Sequence, residues 1–332
     1  MNYFLLYTDC ILVKGIKESL IIDLQRHQVI PIPNLLYEIL NVNLYDNKVN
    51  AVKKIFNSEY DLGIDKYFNY LVKEEIGFYT DTPKAFPKIN LKFELPFHVY
   101  SSIINLDNTT NFNLKDVLGE LLSLGCQIIE LRINNKIEIN YLKTTLNCIK
   151  SSRLKSFEII IKNSDYYSEY ELIELVDFDL RISITALSSI GISNINERLF
   201  FSTDTMYDLS TTKYSSELFV LNMKFFTEAQ KYNTALNKKV CIDSFGNIKN
   251  HISHDTVFGN INQVSITKVI SKNNFTEKWK INNDHIEVCK DCQYRYICFD
   301  DSDIIENNGK YKKKETCSFN PYTNLWENSI SN

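Results

Sequence analysis

The chain has 332 residues, of which 44% are hydrophobic and 13% aromatic, and its net charge is −4 at pH 7. This length exceeds one ordinary core and predicts two or three domains with ample apolar material. The slightly acidic balance argues against a nucleic-acid-binding protein, which usually presents a basic face.

The chain shows no sign of secretion or of membrane insertion. Its first residues, MNYFLLYTDC, alternate like a strand and include Asp9 instead of the basic start of a signal peptide. No apolar run approaches the roughly 20 residues of a membrane span. We therefore expect a cytoplasmic protein without a membrane partner, in which thiols stay reduced and clustered cysteines more often bind metal.

Residues 1–90 are expected to form a first domain. Short alternating runs bounded by polar turns predict four strands, and three helical patterns follow before a turn-rich boundary near residue 87. This layout predicts a winged-helix-like module. The expected strands are 3–6, 11–13, 19–23 and 28–31, and the expected helices are 34–40, 49–56 and 65–75.

Residues 91–230 are expected to form a second domain, in which strands alternate with helices. Such alternation predicts a parallel sheet with helices outside it. About four strand–helix units are visible, fewer than a complete eightfold barrel requires, so we expect a partial (β/α) barrel. The expected strands are 92–106, 126–133, 157–161 and 180–187, and the expected helices are 114–124, 139–149 and 170–176.

Residues 231–332 change character and are expected to form a third domain. Short strands are predicted at 241–248 and 258–261, with Gly246 at a turn. From residue 287 on there is little periodicity. This is typical of a segment that a bound metal holds together in place of an apolar core.

The last segment carries a ladder of cysteines, Cys289-x2-Cys292-x5-Cys298, followed by Cys317. Two close thiolates and two from further along can surround one metal ion or iron–sulfur cluster. Disulfides are the alternative, but a cytoplasmic protein disfavours them. The spacing by itself leaves zinc and a [4Fe–4S] cluster both open.

The ladder belongs to a longer pattern that resembles the SPASM domain of radical SAM peptide-modifying enzymes. The segments KYNTALNKKVCIDSFGNIKNH and TCSFNPYTNLW are more particularly similar to the SPASM peptide maturases of grasp-with-spasm systems. In those systems an ATP-grasp ligase and a SPASM protein process a ribosomally made peptide (RiPP biosynthesis). The resemblance covers about residues 220–330, and its pattern is Gly246-x4-His251, Cys289-x2-Cys292-x5-Cys298-x3-Ser302 and Cys317.

The resemblance implies the metal content. The four ladder cysteines match the ligands of the second auxiliary [4Fe–4S] cluster, and all are present. The first auxiliary cluster needs cysteines where this chain has His251 and Ser302. We therefore expect one [4Fe–4S] cluster, with zinc as the alternative. A second metal bound by Cys241 and His251, with His254 as a further ligand, is the other hypothesis.

The resemblance also implies a missing activity. Radical SAM enzymes carry Cys-x3-Cys-x2-Cys after the first barrel strand and Gly-Gly-Glu after the second. The corresponding stretches here are SSIINLDN at residues 101–108 and LRINN at residues 131–135, and neither contains the motif. We expect that the barrel neither binds nor cleaves S-adenosylmethionine, and whether the chain is an enzyme stays open.

The N-terminal domain resembles the peptide-recognition element of peptide-maturation enzymes. Such a domain binds an extended leader peptide by adding it as a strand to a sheet edge; a capping or dimerising domain is the alternative. The leading hypothesis is thus a SPASM protein that binds a precursor peptide beside an ATP-grasp ligase. An iron–sulfur redox or electron-transfer protein, or an adaptor folded by structural zinc, are the alternatives, and the identity of the metal separates these two.

Overall fold

A computed structural model describes residues 3–57, 60–188, 193–203 and 218–327. The described helices are α1 (Asn34–Asn41), α2 (Val49–Ile55), α3 (Asp61–Lys73), α4 (Leu114–Ser123), α5 (Ile139–Leu146), α6 (Glu169–Val176), α7 (Met223–Ala229), α8 (Ile266–Ile270) and α9 (Asn273–Thr276). The N-terminal strands are β1 (Tyr3–Leu6), β2 (Cys10–Val13), β3 (Ser19–Asp23), β4 (Gln28–Ile32) and β5 (Gly77–Thr80). The remaining strands are β6 (Ser101–Leu106), β7 (Ile128–Ile133), β8 (Ser156–Ile161), β9 (Ile182–Leu187), β10 (Ser193–Asn196), β11 (Leu199–Ser202), β12 (Lys239–Ile242), β13 (Asn247–Lys249), β14 (Gly259–Asn260), β15 (Ile304–Asn307), β16 (Lys310–Lys313), β17 (Phe319–Asn320) and β18 (Leu325–Trp326).

The N-terminal unit contains the predicted strands and helices. Strands β2, β3 and β4 form an antiparallel sheet, and β1 pairs with β5, a strand that the sequence did not predict. All five residues of the central strand β3 are buried. Since side chains alternate along a strand, Ile21 packs into a core with helices α1 to α3, whereas Leu20 and Ile22 pack on the opposite face.

The largest element is a nine-stranded, mostly parallel sheet, and the chain is a mixed α/β protein as expected. The strand order is β10-β11-β9-β8-β7-β6-β12-β13-β14, in which β11 through β12 run parallel. Helices α4, α5 and α6 connect β6, β7, β8 and β9. This makes three strand–helix units where four were expected, because the next described elements after β9 are strands β10 and β11.

The predicted strand 92–106 is too long, since only Ser101–Leu106 is a strand. Residues 91–98 do alternate between partly buried and exposed positions. They pair with no described strand, however, and Pro96 has no N–H to donate to a ladder. The apolar–polar alternation of the sequence therefore predicted a strand, but these residues have no strand partner within the described ranges.

The C-terminal segment shares its core with the preceding one. Strand β12 extends the large sheet beside β6, and the main hydrophobic core contains residues such as Leu131, Val240 and Trp279 from both predicted domains. The turn between β12 and β13 uses Gly246 at φ +80°, in the region that favours glycine. The sheet therefore crosses the expected boundary at residue 230.

Within the described ranges, no helix combines the length and the apolar character needed to cross a membrane.

Leu131, fully buried on the helix-facing side of β7, should be indispensable to the main core. Leu131→Ala is expected to lower the free energy of unfolding by about 2–5 kcal/mol, because it leaves a cavity. Leu180→Ala is the control; that side chain is 85% exposed, and its loss should change stability by less than about 0.5 kcal/mol. Equal effects in urea unfolding would contradict this placement of β7.

Candidate metal centre

The four ladder cysteines lie in one neighbourhood of the C-terminal segment. Cys289 begins a short 3-10 turn, and the N–H of Cys292 closes it with a 3.0 Å bond to the Cys289 carbonyl. Cys298 lies in a backbone bridge to Phe219. Cys317 directly precedes the β17–β18 ribbon. Secondary structure of several kinds thus positions the four thiols.

The residue before the ladder has an unusual backbone conformation. Val288 has φ +70° and ψ −50°, which is an outlier for a β-branched side chain. Strained conformations of this kind persist only where the surrounding structure imposes them, and they cluster at functional sites. The turn that places Cys289 is therefore held in a costly conformation.

The thiols are buried and influence one another. Burial raises the pKa of Cys289 and of Cys292 to about 12, and it also raises the pKa of Cys298 and Cys317. The Cys317 thiol adds to the shift of the other three, and Cys298 is further affected by Cys289 and Cys292. Only a bound cation would keep four such thiolates ionised together.

The four thiols can be compared with the requirements of the two centres that the cysteine spacing left open. In the part of the chain that the structure describes, no three His, Cys, Asp or Glu side chains are placed to hold one metal ion. Zinc draws its four sulfurs to about 2.3 Å from one point, whereas a [4Fe–4S] cluster offers each thiolate a separate iron. Four buried thiols supply the ligand type that either centre requires.

Two backbone N–H groups point at sulfur atoms of the ladder. The N–H of Tyr294 lies 3.4 Å from Cys292 Sγ, and that of Phe319 lies 3.4 Å from Cys317 Sγ. The ring of Tyr294 stacks on Phe219 and meets the edge of Phe319, which contacts Trp326. Hydrogen bonds to sulfur and exclusion of water both tune the reduction potential of an iron–sulfur cluster.

A buried ion pair joins Asp300 to the basic run at residues 310–314. Asp300 is only 9% exposed, and its carboxylate helps to raise the pKa of Cys298. Lys310–Lys313 forms β16, and Lys313 lies 3.3 Å from Asp300 in a buried ion pair. The segment after Cys298 is therefore fixed by charge pairing.

The positions at which the resemblance implies a first cluster, around His251 and Ser302, carry a buried polar network. His251 Nε2 lies 3.3 Å from Asp301, and His254 Nε2 lies 2.9 Å from the Asp301 carbonyl oxygen. Ser302 Oγ accepts a 3.0 Å hydrogen bond from the N–H of Glu315 and also bonds its carboxylate. Hydrogen bonds among protein groups thus occupy these positions.

Burial, together with nearby positive charges, lowers the pKa of His251 to about 2, so its ring is neutral and its contact with Asp301 is not an ion pair. Cys241 is fully buried, and its thiol donates to the Asn250 carbonyl oxygen at 3.5 Å. The second metal site at Cys241 and His251 stays a prediction.

The N-terminal unit docks on the cysteine loop. The N–H of Ile16 donates to the Asp291 carbonyl oxygen at 2.9 Å, and Arg295 donates to the carbonyl oxygens of Lys14 and Cys292. These contacts connect the β2–β3 turn to the segment between Cys289 and Cys298. An apolar cluster extends the contact, and it includes Val13, Leu20, Ile22, Leu24, Phe226 and Ile297.

A chain of amides joins the same turn to the C-terminal ribbon. Buried Gln293 donates to Asn324 at 2.6 Å, and Asn324 donates to Glu18 at 3.0 Å. Sequence analysis missed these residues, because they are distant along the chain and follow no motif. It also missed Glu130 and Arg132, whose charges alternate with apolar residues in IIELRI; that alternation was the available signal.

Comparison with known proteins adds little. No family model matches this chain, and no curated protein is significantly similar to it. Among solved structures, SuiB of Streptococcus suis, crystallised with S-adenosylmethionine bound, matches 89% of this chain and 94% of its own length. The sequence identity is 12% and the TM-score is 0.29. A likeness this slight carries no argument about fold or function.

Gly15 should be required for docking of the β2–β3 turn. A Cβ atom there would lie 2.8 Å from Gln293 Cβ and would also collide with the Glu18 carbonyl oxygen. We expect Gly15→Ala to lower the free energy of unfolding by about 1–3 kcal/mol, because the turn must move off the cysteine loop.

The matched control is Gly119→Ala in α4, where a Cβ meets nothing within 4 Å. That change should stabilise the helix by up to about 1 kcal/mol. Denaturant unfolding of both variants, with hydrogen exchange at residues 14–18, tests the contact. A Gly15→Ala variant as stable as wild type would show that the β2–β3 turn does not pack against the cysteine loop.

Proposed function

We propose that this chain is a SPASM-type scaffold of ribosomal peptide maturation. It binds a precursor peptide through residues 1–90, holds one [4Fe–4S] cluster and acts beside an ATP-grasp ligase without cleaving S-adenosylmethionine. The observation that carries the proposal is the docking of the N-terminal sheet on the loop that carries three of the four buried thiols. A peptide bound at that sheet would lie next to the metal centre.

Cys289, Cys292, Cys298 and Cys317 are the residues that would hold the cluster. Their mutual influence and their burial support a shared ligand, and the two N–H groups directed at sulfur suit thiolates. A bound cluster would supply one-electron transfer. The protein's own part is to keep water away with Tyr294 and its aromatic neighbours and to join the centre rigidly to the peptide-binding unit.

The outer edge of β4 is the proposed peptide-binding edge. The Leu24 N–H donates to the Asp9 carbonyl oxygen, beyond the end of β2, and this bond fixes which residues of β3 face β2 and which face β4. In the β3–β4 register, the N–H and C=O of Val29 therefore point away from β3. The C=O of Pro31 points away from β3 as well. No described strand pairs with this edge, and Gln28 and Pro31 are exposed on it. Backbone groups that point outward from an edge strand can pair with an extended peptide.

Metal content tests the first half of the proposal. Anaerobically purified protein is expected to contain about four iron and four sulfide per chain. Cys298→Ser should lose most of the iron, whereas Cys148→Ser, at a half-buried thiol that bonds only the Thr145 carbonyl oxygen, should retain it. About one zinc per chain without iron would instead identify a structural site and end the cluster assignment.

Leader binding tests the second half. A labelled leader segment of the precursor encoded beside this chain should bind the full-length protein, as measured by fluorescence anisotropy. Val29→Pro removes the outward N–H of β4, so the peptide carbonyl oxygen that would accept from it loses its partner. We expect the affinity for the leader to fall about tenfold or more. Leu12→Pro, which removes the outward N–H on the opposite edge strand β2, is the control. Equal loss in both variants, or in neither, would refute the β4 edge.

A further inference from the structure

The two faces of the large sheet have different chemistry. Ile104, Leu131, Ile159 and Ile184 are fully buried in the helix-packed core. Because side chains alternate, the opposite face carries the polar residues near the carboxyl ends of the same strands. In register across β6 to β9, one row contains Asn105, Arg132, Ile160 and Thr185, and the row before it contains Ile103, Glu130, Glu158 and Ser183. The carboxyl ends of parallel strands are where α/β sheets commonly bind ligands.

Arg132 on this face has an unmet hydrogen-bond donor. It is only 9% exposed, its Nε donates to Glu130, and its Nη1 has no hydrogen-bond partner among the residues that the structure describes. Asn105 is the Cα partner of Arg132 on β6, and its buried Oδ1 likewise has no partner within the described ranges. Since a buried polar atom without a hydrogen-bond partner destabilises a fold, two of them on neighbouring strands require an explanation.

Charged groups of both signs lie near Arg132. Lys239 is on the same face of β12, in register with Ser101 at the amino end of β6; it forms no ion pair in the described part of the chain, and its ammonium lies 5.4 Å from the centre of the Phe299 ring. The Lys239 and Arg132 charges both help to lower the pKa of His251. Burial and the charge of Glu130 raise the pKa of Glu158, whereas the charge of Arg132 lowers it. Arg132 Nη1, without a partner among the described residues, is therefore the donor on this face that can receive an anionic group.

We propose that this face binds the free carboxylate end of a peptide. One carboxylate oxygen would accept from Arg132 Nη1, because the planar guanidinium matches carboxylate geometry. A neighbouring N–H of the same peptide would donate to Asn105 Oδ1. The inference rests on the proposed function only for the peptide source of the carboxylate, and the site is separate from the β4 edge.

Binding of matched probes tests the site on the full-length chain. N-acetyl-trialanine with a free carboxylate should bind about tenfold or more tightly than its C-terminal amide in isothermal titration calorimetry. Arg132→Gln should abolish that preference. The control Arg153→Gln, at an exposed loop residue before β8, should keep it. Equal affinity of acid and amide for wild type, or no binding of either, would overturn the proposal and leave water as the partner of Arg132.

A second variant covers loss of folding. Arg132→Gln leaves Glu130 without its partner, whereas Asn105→Asp keeps that pair and sets a negative charge beside the guanidinium. Asn105→Asp should also remove the preference for the acid while melting like wild type. Undiminished preference in a folded Asn105→Asp protein would contradict the site.

Two further experiments ask whether the bound carboxylate must be a chain end and whether this site is independent of the β4 edge. An amide-capped peptide whose only carboxylate is a glutamate side chain should bind weakly; binding as tight as that of the free terminus would overturn the assignment to a chain end. Val29→Pro should leave the acid preference intact. Loss of leader binding with retention of the carboxylate site, or the reverse, therefore distinguishes failure of one proposal from failure of the other.

Discussion

Strand β3 is the element on which the arrangement of the molecule depends. It is buried on both faces, so Ile21 closes the core of the N-terminal unit while Leu20 and Ile22 pack against Phe226 and Ile297 of the later segments. A strand that is buried on both faces has its register fixed by packing on both sides. The N-terminal sheet and the cysteine loop are consequently parts of one packed interior.

This packing explains why the cysteine loop is ordered although it has little regular structure. A short loop that holds buried thiols and a strained Val288 would open unless other contacts opposed it. Here Arg295 and Gln293 connect it to the β2–β3 turn and to the C-terminal ribbon. Protein contacts thus carry part of the ordering that sequence analysis attributed to metal alone.

Local patterns in the sequence predicted much of this structure, and distant pairings escaped it. The meander β2 to β4 and the helices α1 to α3 follow from short-range periodicity and turn residues, and so do the strands of the parallel sheet. The pairing of β1 with β5 and the burial of Asp300 against Lys313 depend on residues far apart in the chain or on tertiary packing. The ladder was visible because its spacing is local, whereas Arg132 became significant only when β6 was placed beside it.

The two cluster positions that the resemblance implies differ in how their buried polar groups are satisfied. A metal centre or a network of buried polar side chains can hold a segment such as residues 300–303. With Ser302 bonded to Glu315 and Lys313 paired with Asp300, that segment is held by protein groups alone. The four ladder thiols cannot form a comparable network among themselves, because cysteine thiols are weak hydrogen-bonding groups. The polar network therefore needs no metal to hold it. A shared metal centre, in contrast, would explain why four buried thiols lie in one neighbourhood.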